Sequence, residues 1–296
     1  MRHFLEIDDL TPAELAEVLE LSATGTPPQV LAGKGAGLVF EKPSARTRNS
    51  MEMAVVQLGG HPIYIRDEEV GIDKRETAED IIRVLAGYHE VVAARVFDHK
   101  VLDRMADCDA VPVVNLLSDE AHPMQALADL LTLRQEFGDL EGLVVTYVGD
   151  ANNVWRSLAL GCALVGAVSR IACPPDYSPS EEDLDRVRSL GGVVEVFDRP
   201  TEAVAGADAV YTDVWTSMGQ EEESAARLRA FEGFTVTESM MGGMAERGIF
   251  MHCLPAHRGE ECDDGAMESA RSRVFPQAEN RMHAARGLLA WLLTNQ

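Results

Sequence analysis

The chain has 296 residues, 46% of them hydrophobic, and a formal net charge of −23 with an isoelectric point near 4.6. That length suits one large or two medium domains with substantial cores. So acidic a balance excludes a general nucleic-acid binder, which needs a basic surface.

The first element is a helix capped by Thr11, with Pro12 in its first turn and Glu14 closing a capping box. Leu15, Val18 and Leu21 continue it, and a short strand follows at Leu38, Val39 and Phe40. Met51, Ala54, Val55 and Leu58 then recur with helical spacing until Gly59 and Gly60 stop the helix. Strands are predicted at 63–65, 91–94 and 113–116, and a helix over 78–88. Pro123 opens a helix running to about 137.

The second half repeats the rhythm. A buried strand at 143–148 leads into a helix over 154–164, and further strands are expected near 170–172, 193–196, 209–211 and 248–251. Strand and helix alternating on this scale predict an α/β fold of two doubly wound domains with parallel sheets. The helix from Pro123 is the expected joint, dividing the chain into 1–128 and 129–279, with a terminal helix read over 283–293 packing back, within 280–296, on the first domain.

Cys108, Cys162, Cys173, Cys253 and Cys262 are odd in number and lack paired spacing, so neither a disulfide framework nor a zinc knuckle is expected. The opening residues carry no apolar signal run and no stretch is long enough to span a bilayer, which predicts a cytoplasmic protein with no membrane partner. The acidic runs at 67–69, 181–183 and 221–223 read as solvated faces.

Three places in the first half suit one anion. Ser44-Ala45-Arg46-Thr47-Arg48 lies where a strand turns into a helix, so unpaired backbone N–H groups, two hydroxyls and two guanidinium forks meet there. A capped helix with two solvated arginines is the plainer reading. His122-Pro123-Met124-Gln125 puts His122 and Gln125 three apart at a helix start, where both can hydrogen-bond a carbonyl or amide. Arg95 ends a strand, a place that suits a structural salt bridge equally well. In the second half, Cys253 follows the strand 248–251 and is closed off by Pro255; buried cysteines are usually inert packing, so alone it is ambiguous.

Together these residues resemble the aspartate/ornithine carbamoyltransferase family. Ser44 to Arg48 match S-x-R-T-R, His122 to Gln125 match H-P-x-Q, and Arg95 sits where the family carries a phosphate-binding arginine. Gly149-Asp150-Ala151-Asn152-Asn153, Asp213-Val214-Trp215-Thr216-Ser217-Met218-Gly219, His252-Cys253-Leu254-Pro255-Ala256 and Glu279-Asn280-Arg281 look like segments of the ornithine branch. The aspartate branch would carry a different loop at Ser217-Met218 and an arginine-bearing segment near Cys253.

The resemblance runs nearly end to end. It implies a carbamoyl phosphate domain, an ornithine domain, and transfer of the carbamoyl group to the side-chain amine of L-ornithine, giving L-citrulline within arginine biosynthesis. Ser44, Ala45, Arg46, Thr47 and Arg95 would hold the phosphate. Arg46, His122, Gln125 and Arg281, with Cys253 and Leu254, would hold the carbamoyl group. Asn153, Asp213, Ser217 and Met218 would grip ornithine. Asp213, Cys253, Arg46 and His122 carry the implied catalysis, without metal or cofactor.

The family is also expected to form a homotrimer whose sites lie at subunit boundaries. Ala45 stands where the family usually has threonine, and Gly71 falls near where many ornithine enzymes carry a glutamine that reaches a neighbouring site. Lys74 is the candidate to supply a charge there instead. Two readings rival this one: a nucleotide-binding dehydrogenase, but no G-x-G-x-x-G follows the strand before Gly149, and a non-catalytic relative acting as a binding or assembly subunit, against which the retained arginines, His122, Asp213 and Cys253 argue.

Overall fold

In the computed structural model, residues 1–216 and 223–296 are described. The chain divides into two units, one formed by Met1–Leu131 with Glu279–Gln296 and the other by Thr132–Ala278.

The first unit is built on a four-stranded parallel sheet in the order β2-β1-β3-β4, from β1 (Gly35–Phe40), β2 (His61–Arg66), β3 (Val91–Arg95) and β4 (Val113–Leu117). Its helices are α1 (Pro12–Ala23), α2 (Ala45–Gln57), α3 (Asp67–Val70), α4 (Ala78–Ala86) and α5 (His99–Asp107). β1 and β3 are central and apolar on both faces, as parallel strands covered by helices require, whereas edge strand β2 leaves Ile63 exposed. Val39, Val92 and Ala94 pack with Ile81, Ile82 and Leu85 of α4 and Val101, Leu102 and Met105 of α5.

Helix α5 escapes the sequence reading because His99, Lys100, Asp103, Arg104 and Asp107 outnumber its apolar residues; Val101, Leu102 and Met105 still share one buried face. Phe40 pairs with Arg95 across β1 and β3, and Glu41 N–H donates to Arg95 C=O at 2.9 Å. Arg95 therefore leaves the sheet beside the turn that enters α2. The strand order reverses between β1 and β3, the position where open α/β sheets place ligands.

The second unit holds a five-stranded parallel sheet in the order β7-β6-β5-β8-β9: β5 (Val144–Val148), β6 (Val168–Ala172), β7 (Val193–Phe197), β8 (Ala209–Thr212) and β9 (Ile249–His252). Helix α6 (Pro123–Phe137) bridges from the first unit, and α7 (Asn153–Leu164), α8 (Glu181–Ser189), α9 (Pro200–Val204), α10 (Ser224–Ala230), α11 (Glu238–Met241) and α12 (Asp264–Glu268) follow. Trp215, Phe231, Phe234 and Phe250 anchor a core that also takes in Val148, Val210 and Met267. Val148 pairs with Thr212 and Thr212 with His252, so the loops after β5, β8 and β9 leave one edge of the sheet at one level.

The terminal helix α13 (Val274–Thr294) starts nine residues before the expected 283. Gln277, Asn280 and Arg281 interrupt its apolar pattern, yet all three are buried. Polar groups held inside for contact look like solvated loop in a sequence. Farther along α13, Arg286 Nη2 donates to the carbonyls of Ser22 (3.0 Å) and Thr24 (2.7 Å), satisfying the end of α1. Gly287 permits that approach: a Cβ there would stand 2.6 Å from Ser22 N and 2.7 Å from Val18 O.

Candidate active site

The first unit gathers its site on the side chain of Thr47. Ser44 caps α2, accepting from Thr47 N–H at 3.3 Å and donating to Thr47 Oγ1 at 3.1 Å. Thr47 Oγ1 also accepts from Arg281 Nη2 at 2.7 Å and from Arg95 Nη1 at 3.4 Å. Residues 48 and 234 positions distant in the chain thus meet at one buried hydroxyl. Ala45 opens α2, and Arg46 follows it in the first turn, exposed.

Arg48, expected to add charge here, is engaged elsewhere. Its Nε lies 2.7 Å from Glu52, and its guanidinium covers the Tyr64 ring at 4.0 Å. Two residues apart on a helix, the two arginines of the motif point about 200° from each other, and of the two only Arg46 acts on Arg95.

Burial, reinforced by the like charges of Arg281 and Arg46, lowers the Arg95 guanidinium to about 10. His122 is held well below the ordinary imidazole value by burial and then by Arg281 and Arg95. The like charges that lower the two groups come from Arg46, Arg95 and Arg281, an arrangement that a bound anion would relieve. Arg95 Nε has no hydrogen-bond partner among the described residues.

Gln125 lies on the same first turn of α6 as His122, and Gln125 N–H donates to His122 C=O at 3.0 Å. Its side-chain Nε2 donates to Asp129 at 2.8 Å. Lys74, by contrast, is exposed in the turn after Gly71, with Nζ 3.3 Å from Asp67. Gly71 adopts φ +57°, a conformation that a glycine accepts without strain.

In the second unit, Asp213 follows β8 and Cys253 follows β9, both buried. Cys253 Sγ donates to Asp213 Oδ1 at 2.9 Å, which also accepts from Val214 N–H at 2.8 Å. Asn152 caps α7, accepting from the N–H groups of Val154 and Trp155, and its amide lies 3.4 Å from Asp213 Oδ2. Asn153, the site candidate, is the first residue of α7. Among the described residues Asp213 caps no helix. Burial, with Asp213, Asp150 and Cys253 nearby, pushes the Tyr147 phenol well up. Ser217 and Met218 lie outside the described residues.

The turn carrying Cys253 is held at both ends. His252 Nδ1 accepts from Leu254 N–H at 2.9 Å, so Nε2 carries the ring proton toward Glu261 at 3.0 Å. Glu261 also accepts from His257 N–H at 2.6 Å. Leu254 adopts φ +61°, unusual for a side chain of its size. Asp213, His252 and Cys253 bring possible metal-ligand atoms within 4.8 Å of one another, as do His252, Glu261 and Cys262. Burial raises the Cys262 thiol to about 12, which keeps it from serving as a thiolate.

The sequence reading missed Asp129, Glu261 and the pair formed by Arg227 and Asp150. Arg227 Nη1 lies 2.9 Å from Asp150 Oδ2 and 2.9 Å from Trp215 C=O, and burial raises the Asp150 carboxyl despite this partner. Only Asp129 left a local signal, four residues after Gln125 on one helix face. Arg227 and Asp150 join segments 77 positions apart, and Glu261 meets His252 across a loop.

The family description for the carbamoyl-P binding domain of aspartate/ornithine carbamoyltransferase matches residues 2–135, and that for the Asp/Orn binding domain matches 141–292. An ornithine carbamoyltransferase of Acidothermus cellulolyticus is 46% identical, covering 99% of this chain and 97% of its own. One from Thermus thermophilus is also 46% identical, at 99% and 97% coverage. The solved ornithine carbamoyltransferase of Pyrococcus furiosus is 40% identical with a TM-score of 0.95, covering 100% of this chain and 98% of that one. With two parallel α/β sheets, the buried arginines around Thr47 and relatives alike over their full length, this chain belongs to the aspartate/ornithine carbamoyltransferase family.

Proposed function

We propose that the protein transfers the carbamoyl group of carbamoyl phosphate to the side-chain amine of L-ornithine, releasing L-citrulline and phosphate. The observation that carries this reading is the convergence of Arg95 and Arg281 on Thr47, where the like charges of Arg46, Arg95 and Arg281 lower Arg95 and His122. Such a pocket calls for a polyanion. Ser44, Ala45, Arg46, Thr47 and Arg95 take the phosphate, with helix α2 directing its free N–H groups at it.

His122, kept neutral, and Arg281 serve the carbamoyl oxygen, with Cys253 and Leu254 also on the carbamoyl group. As the amine attacks, the C–N bond forms, negative charge grows on that oxygen, and the C–O bond to phosphate then breaks. Donors set in advance stabilise the charge, typically by about 100- to 1000-fold in rate per donor. The amine must lose one proton. Asp213 and Cys253, already 2.9 Å apart, are its acceptors: the proton goes to Asp213, or to the Cys253 sulfur once the thiol has passed its own proton to Asp213. Asn153, Ser217 and Met218 hold the α-amino and α-carboxylate groups. This chemistry calls on no metal or organic cofactor.

Incubating the protein with carbamoyl phosphate and, separately, L-ornithine, L-aspartate and N-acetyl-L-ornithine tests the reading. Citrulline and phosphate should appear with ornithine. Preferential carbamoylation of either other acceptor would overturn it. On the same reading the reaction belongs to arginine biosynthesis in the cytoplasm. No helix among the described residues is long and apolar enough to cross a membrane.

The same reading makes the working assembly a homotrimer, with Lys74 reaching the phosphate of a neighbouring subunit. Its exposed ammonium and the charged run from Asp67 to Arg75 support this. Lys74→Ala and Arg46→Ala are each expected to be nearly inactive. Trimers refolded from a mixture of the two should regain activity, because some boundaries then pair an intact Arg46 with an intact Lys74. No recovery in verified mixed trimers, or a fully active Lys74→Ala protein, rules out the shared role.

A further inference from the structure

The Gln125 amide has two unlike ends, and the fold treats them differently. Nε2 donates to Asp129 Oδ1 at 2.8 Å, while Oε1, also buried, has no hydrogen-bond partner among the described residues. Asp129 is fully buried, one helical turn beyond Gln125 on α6. A carboxylate accepts hydrogen bonds and does not donate them. It takes the NH2 end of the amide and leaves the carbonyl end for a ligand.

A carbamoyl group has the same two ends. Its oxygen needs donors, which the guanidinium groups around Thr47 provide, and its NH2 needs an acceptor. We propose that Asp129 is a positioning residue that locks the Gln125 amide with Oε1 toward the carbamoyl NH2, so that the subsite selects a carbamoyl over an acetyl group. This rests on the carbamoyl transfer proposed above. An unlocked amide could turn its own NH2 toward the substrate's NH2, and two donors facing each other repel.

Acetyl phosphate is the probe, because a methyl group replaces the NH2 with little change of shape. The wild-type protein should bind carbamoyl phosphate in clear preference to acetyl phosphate, read as the inhibition constant of the second against the KM of the first. Asp129→Asn places an amide that can donate or accept at the lock, and the preference should fall by roughly 10- to 100-fold. Gln125→Met should lose it similarly, and the double variant should lose no more than the larger single effect. Where Asp129→Asn does not fold, Asp129→Ser, which also donates and accepts, makes the same comparison.

A purely structural Asp129 would lower the melting temperature and leave the preference intact. An unchanged preference in Asp129→Asn or Asp129→Ser, or single losses that multiply in the double variant, would overturn the proposal. A wild-type protein that turns over carbamoyl phosphate with ornithine while these variants keep its preference defeats the lock alone; absence of any wild-type turnover defeats the transfer reading itself.

Discussion

Arg95→Met is expected to lower turnover by at least about 100-fold and, in the absence of ligand, to raise the melting temperature. The two effects have one cause. Arg95 is buried beside Arg281 and Arg46, and its guanidinium falls to about 10. Relative to the ordinary guanidinium value, that depression corresponds to roughly 3 kcal/mol against the charged form in the folded protein. The unfolded chain holds the same proton more tightly, so the penalty is fully present below pH 10 and shrinks only as pH rises beyond it. A methionine of similar length fills the space without the charge, and among the described residues the side-chain hydrogen bond given up is the long one to Thr47.

Net stabilisation of one or two kcal/mol would appear as a gain of about 2 to 8 °C. Phosphate or carbamoyl phosphate should raise the melting temperature of the wild-type protein and hardly move that of the variant. Thermal melts with and without phosphate read both effects. A ligand-free variant less stable than the wild type, or one still stabilised by phosphate to the full extent, would refute the argument.

Cys253→Ala is expected to reduce kcat on the order of 100-fold while changing the KM for carbamoyl phosphate little. The thiol sits 2.9 Å from Asp213 at the shared edge of β8 and β9, where the proposed mechanism has the side-chain amine give up its proton. Most cysteines packed this tightly are inert. The difference lies in the partner: Cys253 donates to a carboxylate in the acceptor half of the site, whereas Cys162 lies within an apolar helix face. Cys253→Ser, whose hydroxyl can still donate to Asp213, should fall between the wild type and the alanine variant. Steady-state kinetics across pH settle it, and an alanine variant with undiminished kcat and an unchanged pH profile would return Cys253 to packing.

Much of this was legible from local chemistry. Strand-helix alternation follows from which side chains can be buried on a pleat or a helix face, so β1, β3, β5 and the cap at Thr11 needed no tertiary information. The helix-start anion motif from Ser44 to Thr47 was readable for the same reason, because capping is a contact among neighbours in sequence. Arg48 shows the limit: composition counted it as charge for the site, but the turn of α2 that holds Arg46 there sends Arg48 to Glu52 and Tyr64.

By itself, then, the sequence determined the fold class, the helix start at Ser44 and, through its resemblance, the reaction. Only the tertiary structure decided which groups meet. Thr47 gathers Arg95 and Arg281 because β3 and the early turns of α13 converge on the start of α2, and Cys253 finds Asp213 because β8 and β9 lie side by side in parallel. The same holds for Gln277, Asn280 and Arg281, whose polar side chains break the apolar pattern of α13 in the sequence and are buried. Local propensity depends on near neighbours and survives in a linear string; burial, like-charge crowding and the orientation of an amide depend on partners that the string does not place together.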